Sequence, residues 1–205
     1  MNSHTKRNVR KILSPIRRIG LKNKNFSIIS NNCWGGIIYD VFGLQYKSPT
    51  IGCFILPKHY IKMIKNLHYY MNIDCKKLLF EDSSFQYDEN LKNVPIGIID
   101  DVEICFLHYS SIEEAINKWN RRKKRINWDN LLIKFSDQNG FSIEDYYEFK
   151  KIKSKKIFIT ANNELRKEND IIFIDKFESL GYAKDDIKPS FKLINLKKIL
   201  NGLED

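Results

Sequence analysis

The chain has 205 residues, 42% of them hydrophobic and 13% aromatic, with a formal net charge of +10. That length suits one domain, and that apolar supply excludes a disordered chain, because a poorer composition or two smaller halves would bury too little core. The charge favours anionic partners such as nucleic acid, anionic lipid or phosphate-bearing molecules without choosing among them. Cys33, Cys53, Cys75 and Cys105 show no CxxC pairing, and no apolar run approaches the roughly 20 residues that a spanning helix needs. Reduced thiols in a cytoplasmic protein are therefore expected.

Residues 1–25 are read as a basic arm, with Lys6, Arg7, Arg10, Lys11, Arg17, Arg18, Lys22 and Lys24 interleaved with Ile12, Leu13, Ile16, Ile19 and Leu21. As a helix broken by Pro15 it has an apolar and a cationic face, which suits docking on the anionic inner face of a membrane. A solvated arm fitted against the domain accounts for the same pattern. From residue 26 to 205, short apolar runs alternate with helical periodicity, and this predicts one α/β domain, a mainly parallel sheet flanked by helices in Rossmann-like layers. Strands are expected at Phe26–Ser30, Thr50–Ile55, Ile96–Ile99, Glu103–Leu107, Leu131–Phe135, Ile157–Thr160 and Ile171–Ile174. Helices are expected over 37–42, from Pro57 to about Met71, after the capping pattern Ser111-Ile-Glu-Glu114, from about Ile143 to Lys153, and from about Asn195 to Leu200.

The turn Asn31-Asn-Cys-Trp-Gly-Gly36 carries the leading chemistry. Cys33 would stand near a helix start, where the dipole lowers a thiol's pKa, and Gly35 and Gly36 would let backbone amides approach a substrate oxygen. Asn31 and Asn32 complete this oxyanion turn. A small buried cysteine beside a packed Trp34 is the plainer reading. A nucleophile needs a base, and His108, closing a strand, is the candidate, with Asp100, Asp101 or Asp137 to orient it. A loop histidine that satisfies a carbonyl fits equally. Asp100-Asp101-Val-Glu103 also suits a divalent metal held with substrate phosphates. Lys118-Trp-Asn-Arg-Arg-Lys-Lys-Arg125 places six cations in eight residues at a helix end. They complement the helix dipole, and Arg121, Arg122 and Arg125 also suit fork-like phosphate recognition. Nucleic acid is not expected, because Trp119 falls on the buried stripe instead of interleaving with the cations.

The blocks Ser30-Asn-Asn-Cys-Trp-Gly-Gly36, Gly43 with Tyr46-Lys-Ser-Pro-Thr50, Phe106-Leu-His-Tyr109, Lys118-Trp-Asn-Arg-Arg122 with Arg125-Ile-Asn127, and Phe135-Ser-Asp137 resemble a bacterial exopolysaccharide-biosynthesis family. That family is long carried as a domain of unknown function found in capsule gene clusters. The strand followed by Asn-Asn-Cys also looks like the strand–Gly-Asn-Cys turn of a group of capsule-biosynthesis acyltransferases. The resemblances imply acyl transfer to a nucleotide- or lipid-linked saccharide, through Cys33, with a coenzyme A thioester as donor and no tightly bound cofactor. Two alternatives stand beside this: a metal-dependent glycosyl- or phosphoglycosyl-type transferase, and a non-enzymatic membrane-surface adaptor of capsule assembly.

Overall fold

The computed structural model describes residues 12–203. After a helical stretch at 12–17, the chain runs β1 (Ser27–Ser30), α1 (Trp34–Phe42), α2 (Pro57–Lys65), α3 (Leu67–Asn72), β2 (Lys76–Leu78), β3 (Ile96–Ile99) and β4 (Val102–Cys105). It continues through α4 (Ile112–Lys123), β5 (Leu131–Ser136), α5 (Ile143–Lys150), β6 (Lys155–Thr160), β7 (Ile171–Phe173), α6 (Ile187–Leu193) and α7 (Leu196–Asn201).

Four strands form an all-parallel sheet in the order β1-β5-β6-β7, with Ile29 beside Ile133 and Phe135 beside Phe158. Both faces are covered, which is why these strands are apolar runs and not alternating ones. Successive residues point to opposite faces. Ile29, Ile133 and Phe135 join Tyr60, Trp119 and Phe149 in one core. Ile28, Leu132 and Ile157 join Trp34, Ile38 and Leu200 in the other. At the sheet's β1 edge, the amides of Ile28 and Ser30 donate to the hydroxyls of Tyr39 (3.2 Å) and Thr50 (3.2 Å), so this edge is closed by side chains. A separate antiparallel sheet, β2-β3-β4, carries the Asp100–Asp101 hairpin turn.

Several expectations are corrected. Residues 50–55 make a turn with one bridge, Phe54 to Cys105, instead of a strand, because Gly52 sits at φ 74° and breaks the extension. The helix after Pro57 is interrupted at Asn66 (φ −131°, ψ 46°), giving α2 and α3. β2 was not expected: its two lysines are exposed, and pairing with β3, not burial, makes it a strand. Nor is 25/26 a packing boundary. Leu21 is buried in the Leu200 core, and Asn201 accepts from the amides of Lys22 (2.8 Å) and Asn23 (3.3 Å) while donating to the Gly20 carbonyl (3.0 Å). The latter part of the basic stretch is therefore part of the domain. Lys6, Arg7, Arg10 and Lys11 lie outside the described residues.

Candidate functional site

All four parallel strands end at one edge, and the Asn31–Cys33 turn leaves β1 there. Open α/β sheets gather their ligands at this edge. A polar cluster fills the place where β1 and β5 end. The ammonium of Lys134, fully buried within β5, pairs with the Asp186 carboxylate at the start of α6. It also donates to Ser136 Oγ (3.0 Å), Asn32 Oδ1 (3.1 Å) and Asn31 Oδ1 (3.4 Å). Asn32 Nδ2 donates to Asp186 Oδ2 (2.8 Å) and Gln138 Oε1 (3.1 Å). Trp34 Nε1 donates to Ser190 Oγ (2.9 Å), pinning α6 over the turn. Burial lowers the pKa of the Lys134 ammonium, and Asp186 opposes that shift.

Cys33 precedes α1 and is the only one of the four cysteines that is not buried. Its thiol is not depressed as expected from the helix start. Burial first, and the Asp186 carboxylate second, push it up to about 11 against a smaller pull from Lys134. The oxyanion expectation is likewise corrected. The Trp34 amide is taken by Asn32 Oδ1 (3.1 Å) and the Gly35 amide by Ser30 Oγ (3.2 Å). Gly35 and Gly36 are glycines because a Cβ would meet Ser30 Oγ at 2.9 Å and Ile51 Cγ2 at 3.1 Å, so they serve close packing and not substrate access. Asn31 Nδ2 donates to the Ser136 carbonyl (3.3 Å), so that asparagine is internally committed too.

The proposed relay partners separate. His108 is exposed, and among the described residues no hydrogen bond joins its ring to Cys33 or to an aspartate; its amide donates to the Gly52 carbonyl (3.3 Å). Asp100 and Asp101 lie in the β3–β4 turn, at the opposite end of β4 from His108, so neither orients it. Tyr69 donates to Asp100 (2.9 Å), and Tyr70 (3.0 Å) and Lys62 hold Asp101. Glu103 accepts from the Ser84 amide (2.7 Å). Among the described residues no three His, Cys, Asp or Glu side chains gather as a metal site. Asp137 does reach the carboxyl edge, but as a brace: it accepts from Thr160 Oγ1 (2.6 Å), the Ala161 amide (2.9 Å) and the Ala183 amide (2.8 Å). Burial raises its pKa. Arg121, Arg122 and Arg125 converge on a cleft beside Tyr46.

A family model described as "Domain of unknown function (DUF1919)" matches residues 4–198. The chain belongs to the DUF1919 family. A protein of Haemophilus influenzae (strain ATCC 51907 / DSM 11121 / KW20 / Rd), described as uncharacterized, is 27% identical over 165 residues, covering 80% of this chain and 75% of that protein.

In this DUF1919 chain, Lys134, Ser136, Gln138 and Asp186 add to the residues expected from sequence. Lys134 carries a signal: a charge inside Leu-Leu-Ile-Lys-Phe-Ser, an otherwise apolar strand covered on both faces, must be paired. Asp186 carries none, because its role depends on a partner 52 residues away.

Proposed function

We propose that this chain transfers an acyl group to a surface-polysaccharide precursor, with Cys33 as the carrier of the acyl group. The observation that carries this reading is the placement of Cys33: a partly exposed thiol at the carboxyl edge of a parallel sheet, within the field of the buried Asp186–Lys134 pair. At rest the thiol is protonated. In the proposed first step its proton passes to Asp186 as the sulfur attacks the carbonyl of a coenzyme A thioester, and Asp186 returns that proton to the departing coenzyme A thiolate. A hydroxyl of a nucleotide- or lipid-linked saccharide then attacks the acyl-cysteine, forming the ester, and its proton passes by way of Asp186 to the released Cys33 thiolate. Asp186 and Lys134 replace His108 as the proton-handling groups. Mass spectrometry of the intact protein after incubation with acetyl-coenzyme A tests the first step. One acetyl adduct on Cys33, absent from Cys33→Ser and retained when Cys53, Cys75 and Cys105 are each replaced, is the expected result. An unmodified Cys33, or transfer surviving in Cys33→Ser, would refute it.

A second reading, contact with the inner face of a membrane, is favoured by one feature. Ile12, Ile16 and Ile19 are 75%, 65% and 69% exposed beside Arg17 and Arg18. Apolar side chains flanked by cations suit the interface of an anionic bilayer. Among the described residues no helix is long and apolar enough to cross a membrane. The double variant Ile16→Ser, Ile19→Ser should sediment less with phosphatidylglycerol-containing vesicles than the parent does, at unchanged melting temperature. Equal sedimentation would remove this reading.

A further inference from the structure

The three arginines at the end of α4 face a cleft of about 400 Å³ that is separate from the Cys33 turn. Its other walls include Asp40, Gln45 and Tyr46. Arg122 is 7% exposed, yet no carboxylate pairs with it among the described residues. Its guanidinium lies 4.9 Å from the Tyr46 ring centroid and 6.0 Å from that of Tyr109. Nη1 donates to Tyr109 Oη and to the Ile51 carbonyl (3.4 Å). No other hydrogen bond joins the Arg122 guanidinium to the described residues, and the residue lines the cleft. A buried guanidinium needs an anion to offset its desolvation.

Arg121 precedes Arg122 on α4 and Arg125 follows in the turn after it; all three line the cleft, and neither Arg121 nor Arg125 forms an ion pair among the described residues. The negative end of the α4 dipole lets the three cations coexist. It does not explain why one of them is buried in the wall of a cleft. Asp40, the acid in the wall, accepts from the Tyr46 hydroxyl (2.7 Å), which also holds the Tyr46 ring against Arg122. Gly43 completes the wall. Its φ of 59° ends α1 in the left-handed region, and a side chain there would collide with Ser14.

We infer that this cleft binds a diphosphate group, with Arg122 as the central fork and Arg121 and Arg125 as the flanking ones. Three guanidinium groups lining one cleft of this size exceed what a single phosphate would fill, and planar forks match phosphate oxygens in pairs. The diphosphate belongs to either a nucleotide or a lipid carrier.

The test titrates the full chain with inorganic pyrophosphate and with UDP by calorimetry, and sediments it with vesicles containing dioleoylglycerol pyrophosphate. The double variant Arg121→Gln, Arg125→Gln should bind pyrophosphate about tenfold or more weakly, as expected for losing charge-assisted hydrogen bonds, with an unchanged melting temperature. Lys124→Gln, which removes a neighbouring exposed cation outside the cleft, should bind like the parent. Tighter binding of UDP than of pyrophosphate assigns the nucleotide source. Vesicle binding that pyrophosphate displaces, and that the arginine variant loses, assigns the lipid source. Failure of the parent to bind pyrophosphate, or equal weakening by Lys124→Gln, would overturn the site. The inference stands apart from the acyl-transfer reading, since Cys33→Ser should leave pyrophosphate affinity unchanged.

Discussion

Asp186→Asn should destabilise the fold by about 3–5 kcal/mol, the usual cost of removing one partner from a buried ion pair. The pair is almost fully enclosed, with side-chain exposures of 0% for Lys134 and 2% for Asp186. Replacing the carboxylate by an amide keeps the volume and the Asn32 contact but leaves the ammonium facing only neutral oxygens, those of the introduced amide and of Asn31, Asn32 and Ser136, and the more distant field of Asp137. Lys134→Met makes the converse error and leaves a buried carboxylate with one side-chain amide donor. Removing both charges together, in Lys134→Met with Asp186→Asn, should cost clearly less than the sum of the two single changes, because neither charge is then stranded. Urea unfolding of the four proteins measures this. Single variants that each lose less than about 1 kcal/mol, or that add without coupling, would show that the pair does not hold the carboxyl edge together.

The parts of this edge that were legible in the sequence are those whose cause is local. Ser27–Ser30 is a strand because it is a short run built on the β-branched pair Ile28 and Ile29, and the Asn–Asn–Cys turn before a helix follows from its own residues. The Asp100–Asp101 turn could be located between two strands for the same reason. Its chemistry could not, since Lys62, Tyr69 and Tyr70, which occupy both carboxylates, come from α2 and α3. The pairing of β1 with β5 brings Asn31 and Asn32 against Lys134 and Ser136, and no local pattern announces that adjacency. The thiol shows the limit most clearly. A helix start argues for a lowered pKa, but the α6 segment folds over the turn, desolvates Cys33 and sets a carboxylate near it, and those tertiary effects outweigh the local one.

Alkylation of Cys33 in the folded protein should therefore be slow at neutral pH and should accelerate until pH is near 11. Relative to an ordinary thiol at 9.0, a value of about 11 leaves about 100-fold less thiolate at pH 7. A more basic thiolate is intrinsically more nucleophilic, by a Brønsted slope of about 0.4–0.5, which recovers nearly tenfold and leaves a net deficit of about tenfold. Cys33 should still be labelled before Cys53, Cys75 and Cys105, which are buried and react only on opening. Asp186→Asn removes the second cause of the upward shift, so it should move the profile to lower pH, whereas Lys134→Met should move it higher. The linked effect on stability has a definite sign. A thiol whose folded pKa lies above its unfolded one favours the native state below about 9, and that contribution is lost as pH rises from about 9 towards 11. Iodoacetamide kinetics followed by peptide mapping, on the parent and on both variants, reads all of this from one experiment. A profile already level below pH 8 would mean that the helix start governs the thiol after all. Cys33 would then need no proton acceptor, and Asp186 would lose its place in the transfer step.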